Sequence, residues 1–348
     1  MVEAAYSDTQ LSRITDLAGE AEDRGAWQMK REKSKWERMG FDHPTIKQSH
    51  LEQFLRDPVM AAYVIMRAEL DTFQGALLKL MWWVPFTIDF SGVGASKTER
   101  VFIFSNLRAV LIPQQWVNVY YMSLDMAEST FWRKYPGYID EAPLFRAQFR
   151  IMRRTFGEAN GQGYLRRLFK NGSHVEAPAP GFLKDAHSQA SKRFNTVVVD
   201  EANKIEQMSG GVAAELLDRN TRASFNKMHP IWANHIKLCG HADVKESSPM
   251  WKRTVAYRKE VRDGSPWHAD FTGSYADYRG KYQKYREDRV IAMQKRALTR
   301  EEFLSRYGGI WTTAGKDFFS GVDQCCDPWV LPVDRRQLEI IFNGGGLS

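Results

Sequence analysis

The sequence predicts an α/β fold, a mostly parallel central sheet flanked by helices, and two observations carry that prediction. The first is the segment 194–203, FNTVVVDEAN, where four strand-forming residues, Thr196–Val199, run straight into two adjacent carboxylates, Asp200 and Glu201. So short an apolar run ending in acids reads as a buried parallel strand with its charged tip at the carboxyl edge of the sheet. The second is the alternation of strand-like and helix-like segments along the chain, which places helices on both faces of that sheet. Ligands of open α/β sheets bind at the carboxyl edge, so the two acids are candidate site residues.

Residues 1–48 are polar and highly charged, and KREKSKWERM reads either as a solvated helix or as a partner-binding arm. Residues 50–67 have helical periodicity, with Leu51, Phe54, Leu55, Val59, Ala62, Tyr63 and Met66 on one side. A second helix over 71–82 leads into a strand over 84–90, a Gly/Ser-rich bend and a long helix, Lys97–Leu111. A strand over 116–123 follows, then a helix over 125–135 with Asp125 as N-cap. Residues 145–156 read as an arginine-rich amphipathic helix. Residues 163–169 and 173–177 read as a hairpin turning at Asn171-Gly172, a strong turn pair. Beyond the acidic strand, 236–241 is a short strand and 267–272 one more at the sheet edge. Residues 275–300 are helical and very basic, and Thr299 followed by Glu302 is a capping box for a last helix over 299–307.

The bulk properties exclude several classes. The longest apolar stretch, 76–86, is interrupted by Lys79 and is too short to span a bilayer. The N-terminus is polar and acidic, without the apolar region of a secretory signal. Three cysteines, Cys239, Cys325 and Cys326, suit a reducing compartment and have no metal-ligand spacing. A formal charge of +7 fits a polyanionic partner but does not select one.

In a nucleoside triphosphatase the first acid of such a strand holds Mg²⁺, and the second orients the attacking water. That directs attention upstream, to a phosphate-binding loop. SGVGASKTE fills the position, with the pattern G-x-x-x-x-G-K-[ST] as its standard form. Ser91 and Ser96 stand where the two glycines belong, while Gly92 and Gly94 lie inside the bend with Val93 and Ala95. The functional parts are kept: Lys97 for the β- and γ-phosphates, Thr98 for Mg²⁺, and a following helix N-terminus whose N–H groups favour an anion. An ordinary Gly/Ser loop capping a helix is the competing reading of this motif alone. Gln74, in LDTFQ, stands where many helicase-like ATPases read adenine through a glutamine amide.

The order of these motifs resembles the large terminase subunit of tailed bacteriophages, the ATPase that packages DNA into proheads. The resemblance runs over about residues 50–325: LRDPVMAAYVIMRAELDTFQ as the entry helix and adenine motif, SGVGASKTE as the loop, VNVYYMSLDMAESTFWR as the second strand and helix, NGSHVEAPAP with FNTVVVDEANKI as hairpin and acidic strand, IKLCGHADVKESSPMWKRTVAYRK as the coupling region, and LTREEFLSRYGGIW as the closing segment. It implies a P-loop NTPase of the helicase-like, additional-strand catalytic Glu class, with an arm (1–48), a motor domain (49–315) and, over 316–348, a C-terminal extension or a linker toward a nuclease domain absent from this chain. It further implies ATP and Mg²⁺ as cofactors, with Gln74 and residues 91–98 at the nucleotide, Thr98 and Asp200 at the metal, and Lys97 and Glu201 in catalysis. Double-stranded DNA, a portal protein, a small terminase subunit and further copies in a ring are the implied partners, in the host cytoplasm and at the procapsid portal. The loop departs from the family in lacking an arginine near its start, and Gly240-His241-Ala242 stands where a threonine or serine is usual, leaving His241 as the polar sensor or none.

The late carboxylates Asp317, Asp323, Asp327, Asp334 and Glu339 form no two-metal site, so no DNA cleavage is expected of this polypeptide. DNA contact is expected at phosphates, from the basic stretches 146–154, 166–170 and 275–300. The last also reads as a solvated helix packing its Tyr and Val on the sheet. Candidates for an arginine acting on a neighbour's nucleotide are Arg146, Arg150, Arg153, Arg154 and Arg222. Cys239 and His241 read as small core residues. A strand-separating DNA translocase and a nucleotide-binding scaffold without turnover are the competing classes.

Overall fold

The computed structural model describes residues 43, 45–152, 155–161, 163–178, 195–209, 233–246, 248–273 and 287–313. Residues 1–42 and 44 of the sequence-predicted arm, the C-terminal extension, residues 275–286 of the basic helix, Arg153, Arg154 and Arg222 lie outside them.

Helical periodicity over 50–67 is realised as two helices, α1 (Gln48–Arg56) and α2 (Pro58–Met66). Pro58 has no N–H to continue the first ladder, and the Asp57 carboxylate caps the second by accepting from the N–H groups of Val59 and Met60 at 3.0 and 3.2 Å. Helix α3 (Thr72–Trp83) starts in a capping box made by Asp71 and Gln74. Strand β1 (Phe86–Asp89) then enters the bend and α4 (Lys97–Leu111), which is buried on nearly all sides. After β2 (Trp116–Tyr120), the chain turns into α5 (Leu124–Met126), a π-helical turn (Ala127–Trp132) and α6 (Lys134–Glu141). The cap of α5 is Ser123, whose hydroxyl accepts from Met126 N–H at 3.1 Å, and Asp125 lies inside the first turn instead. The helix expected over 125–135 is interrupted because Ser129 and Thr130 both donate to the Met126 carbonyl, at 3.2 and 2.5 Å. Competition of that kind for a ladder acceptor loosens a helix locally.

The arginine-rich helix expected over 145–156 is also corrected. It is a short α7 (Pro143–Arg146) followed by β3 (Ile151–Met152) and β4 (Thr155–Phe156). The edge of the next hairpin captures this backbone: Arg150 N–H donates to Leu168 O at 3.1 Å and Lys170 N–H to Gln148 O at 2.8 Å. Tertiary pairing overrides the helical pattern. The hairpin itself, β5 (Tyr164–Leu168) and β6 (His174–Pro178), turns at Asn171-Gly172 with Gly172 at φ +83°. The Asn171 amide donates to the carbonyls of Ala109 and Val110, both at 2.8 Å, and so caps the end of α4.

Strand β7 (Thr196–Val199), α8 (Ala202–Ser209), β8 (His235–Cys239), α9 (Pro249–Arg262), β9 (His268–Phe271), α10 (Glu287–Ala297) and α11 (Arg300–Gly308) complete the described fold. β8 ends two residues before the expected strand does, leaving Gly240 and His241 beyond its tip. Across the sheet the order is β5-β6-β2-β7-β8-β1-β9. Every pairing in it is parallel except β5 with β6. Both faces are covered: Val198 packs in the apolar layer with α1–α7, Val197 and Val199 in the layer with α8 and α9. This is why the acidic strand is a continuous apolar run and does not alternate. β8 lies between β1 and β7, so three parallel strands deliver their carboxyl ends, Asp89, Asp200 and Gly240, to one edge.

Candidate functional site

The bend between β1 and α4 is fixed from several sides. Ser91 is fully buried, its N–H donates to Asp89 Oδ1 at 3.0 Å and its hydroxyl donates to the same atom. Gly92 N–H donates to Gly273 O at 2.9 Å and Val93 N–H to Arg306 O at 2.7 Å, tying the bend to the end of α11. A Cβ at Gly92 would stand 2.2 Å from the Tyr307 carbonyl oxygen, so only glycine fits there. Gly94 takes φ +89° and Ser96 φ +52°, so Ser96 adopts without a glycine the left-handed conformation that a glycine would supply. Ala95 is buried; the Val93 side chain is exposed.

Lys97 opens α4 and its ammonium turns back into the bend, donating to Ser91 O at 2.5 Å and Gly92 O at 3.0 Å. Burial lowers its pKa, against the opposing pull of Asp89 and Asp200. Beside it, Thr98 Oγ1 donates to Asp200 Oδ2 at 3.0 Å, joining residues 102 positions apart in the chain. Burial, with the neighbouring Glu201 charge, pushes the Asp200 carboxyl up to about 6, while Lys97 and the Thr98 hydroxyl partly offset the rise.

Glu201 follows at φ +57°, a left-handed backbone that turns the chain out of β7. Its Oε1 lies 3.5 Å from His241 Nε2, and its Oε2 is buried without a hydrogen bond, 3.7 Å from Lys204 Nζ. His241, read from the sequence either as a small core residue or as the polar sensor, lies beside the Glu201 carboxylate. Burial and the Lys97 charge push its imidazole down to about 4, so it is neutral near pH 7. Cys239 is buried in β8 as expected.

Gln74 stands apart from this group. Its carbonyl oxygen accepts from Asp71 N–H at 3.2 Å in the capping box of α3. α3 reaches the loop through Phe73, with the Arg100 guanidinium 5.9 Å over its ring.

Sequence reasoning missed Asp89 and Arg100. Arg100 Nη2 lies 2.5 Å from Asp89 Oδ2, and its Nη1 donates to the Ala95 carbonyl. Burial raises the Asp89 pKa, but the charges of Arg100 and Lys97 and the bonds from Ser91 outweigh it and hold the carboxyl below its ordinary value. A signal existed: Asp89 ends an apolar strand as Asp200 does, and Arg100 is one helical turn beyond Lys97.

The basic stretches divide between internally paired and exposed charges. Arg166 is bonded to Glu176, and Arg167 lies 3.5 Å from Glu158 and 5.0 Å over the Tyr135 ring. Their charges are spent inside the fold, whereas Arg150 and Lys170 are exposed.

Chemically the edge offers two things. The first N–H groups of α4 have no intrahelical acceptors and sit at the positive end of a 15-residue helix, a site for phosphate. The hydroxyl of Thr98 and the carboxylate of Asp200 are a hard oxygen pair suited to Mg²⁺, which shares its shell with waters and substrate phosphates. Among the described residues no cluster of three or more His, Cys, Asp or Glu could hold a metal alone. No described helix is long and apolar enough to cross a membrane.

A loop carrying Lys-Thr after one strand, facing an Asp-Glu tip across a single intervening strand, defines a P-loop α/β fold. No family model matches the sequence, and no curated protein matches it. Among solved structures it is similar to the large terminase ATPase domain of Thermus phage P74-26, at 12% identity and TM-score 0.49, covering 74% of this chain and 99% of that one. It is also similar to the large terminase of another thermophilic bacteriophage, in complex with ADP (11% identity, TM-score 0.47, 70% of this chain and 54% of that one). The large terminase of bacteriophage HK97 is a third, at 10% identity and TM-score 0.49, covering 78% of this chain and 58% of that one.

Proposed function

We propose that this chain is the ATP-hydrolysing motor of a viral DNA-packaging terminase, coupling hydrolysis to movement of double-stranded DNA into a procapsid. The observation that carries the reading is the meeting of Thr98 with Asp200 at one sheet edge, beside Lys97 and Glu201. The motif order of the sequence then narrows the class from nucleotide enzymes in general to terminases.

In this reading residues 91–98 cradle the phosphates, with Lys97 leaving the loop carbonyls to neutralise the β- and γ-oxygens. Thr98 and Asp200 would hold Mg²⁺, which supplies charge neutralisation at the phosphate oxygens when bound. Glu201 orients the attacking water and takes its proton, its unbonded Oε2 being the acceptor on hand. His241 stands at the other oxygen, Oε1, while the Lys204 ammonium lies 3.7 Å from Oε2 and favours the charged carboxylate. Gln74 reads adenine only if its carbonyl leaves the capping box. The remaining positive charge comes from a neighbouring copy in a ring, for which Arg146 and Arg150 are exposed candidates among the described residues. Duplex contact is through phosphates, and a portal protein and small terminase subunit complete the machine.

The test is ATP hydrolysis by the full chain with and without duplex DNA, beside Lys97→Ala. Hydrolysis that rises with DNA and is lost in Lys97→Ala supports the reading. Absence of any hydrolysis or nucleotide binding would leave a scaffold, and ATP-driven strand separation would point to a helicase-like translocase.

A further inference from the structure

Two charged side chains at the site, one acidic and one basic, have no place in the chemistry above, yet both are bonded to the loop's backbone. Asp89, at the tip of β1, accepts the Ser91 N–H and hydroxyl on one carboxylate oxygen, and its other oxygen meets Arg100 at 2.5 Å. Arg100, one turn into α4, carries the connection onward by donating to the carbonyl of Ala95. The circuit therefore pins the loop at both shoulders, Ser91 and Ala95. Gly92, Val93 and Gly94 form the arch between them, and Ser96 beyond it is held at φ +52°. Both side chains are almost wholly buried and the Arg100 head lies over the Phe73 ring, so neither reaches a bound nucleotide.

The loop lacks glycine at two positions, and at Ser96 it still takes the left-handed conformation that glycine adopts without strain. Something must hold it there. We propose that the Asp89–Arg100 pair is the positioning element of the phosphate loop, imposing through side chains the arch that glycines impose in the standard motif, and thereby setting nucleotide affinity. A guanidinium fork is suited to this because it bonds a carboxylate and a carbonyl at once in fixed geometry. A pair serving only to neutralise buried charge would need no bond to Ala95. The proposal rests on the nucleotide reading for its effect on affinity, but the loop's shape can be read without nucleotide.

The experiment uses the full chain. Replacing one partner of a buried pair strands the other's charge, but replacing both with apolar residues of similar volume is often neutral for the fold. The first variant is therefore Asp89→Leu with Arg100→Met. The second is Arg100→Lys, which keeps the charge and loses the fork, and which stands alone if the double variant does not fold. Three readouts are taken: the urea midpoint, amide hydrogen exchange over residues 91–97 without nucleotide, and titration with a fluorescent ATP analogue. The expected result is a cooperatively folded protein, with loop amides exchanging at least tenfold faster relative to those of the sheet, and at least tenfold weaker binding, with KM rising more than kcat falls. The midpoint of the double variant falls because the buried Ser91 N–H and hydroxyl lose their acceptor. Adding Ser91→Gly and Ser96→Gly to the double variant should recover part of the affinity. Wild-type exchange of the loop amides in either folded variant overturns the proposal. Wild-type protein that binds no ATP analogue, with loop exchange still faster in the variants, would overturn the nucleotide reading and leave the positioning role standing.

Discussion

Replacing Asp200 with asparagine should stabilise the nucleotide-free protein while removing its magnesium-dependent nucleotide binding. The carboxyl is displaced from the ordinary 3.8 to about 6 because burial, with Glu201 beside it, disfavours the charged form. A displacement of roughly two units corresponds to about 3 kcal/mol at about 1.4 kcal/mol per unit. The sign follows from linkage: the folded value lies above the unfolded one. The group's contribution to stability is therefore full below about pH 4 and is lost as pH rises through about 6. At pH 7.5 the wild-type protein carries the whole cost of a buried carboxylate that asparagine does not. The Thr98 hydroxyl can still donate to the new amide oxygen, but the amide NH2 then faces the Glu201 N–H that Asp200 Oδ1 accepts at 3.2 Å. One of the two hydrogen bonds is therefore lost, which offsets part of the gain. Some of the gain is lost to reorganisation, leaving about 1–3 kcal/mol as the expected range. Urea midpoints of both proteins at pH 7.5 and pH 4.5, without Mg²⁺ or nucleotide, measure it. The variant should have the higher midpoint at pH 7.5, and the gap should shrink at pH 4.5. A variant less stable at pH 7.5, or a gap indifferent to pH, would refute the reasoning.

Ser96→Gly should raise stability by up to about 1 kcal/mol, because relief of a left-handed serine, about 1–2 kcal/mol, exceeds the chain entropy that glycine adds; a lower melting temperature would count against it. Gly92→Ala should destabilise by about 1–3 kcal/mol or more, since its methyl meets the Tyr307 carbonyl at a distance that backbone must move to relieve. A thermal shift scan that finds it neutral would mean that α11 does not rest on the loop. Asn171→Ala removes two hydrogen bonds from the end of α4 and should cost about 1–2 kcal/mol, read as a lower urea midpoint.

The acidic strand, α4 and the hairpin were legible because each follows from local rules. Thr196–Val199 is apolar on both faces because both faces are covered, and Asn171-Gly172 has the backbone freedom its turn demands. Helices α5 to α7 were not legible. Two hydroxyls converging on Met126 O and a strand edge recruiting Arg150 are decided by neighbours distant in sequence or by side-chain competition, which periodicity does not record. The site divides the same way. Lys97, Thr98, Asp200 and Glu201 carry a motif, whereas Asp89, Arg100 and the contact of His241 with Glu201 arise from strand order. With β8 between β1 and β7, its tip must fall beside both acids. Gln74 shows the reverse case, a residue with a motif whose carbonyl the structure commits to a helix cap.

The central claim is that Glu201 performs chemistry at a nucleotide held by Lys97, Thr98 and Asp200. Single-turnover ATP hydrolysis and equilibrium nucleotide binding, measured together for wild type, Glu201→Gln and Lys97→Ala in the presence of Mg²⁺ and duplex DNA, test it most directly. Glu201→Gln should bind nucleotide within about threefold of wild type and lose at least about a hundredfold in rate, while Lys97→Ala should lose binding. Wild-type turnover in Glu201→Gln, or undiminished binding in Lys97→Ala, would contradict the account.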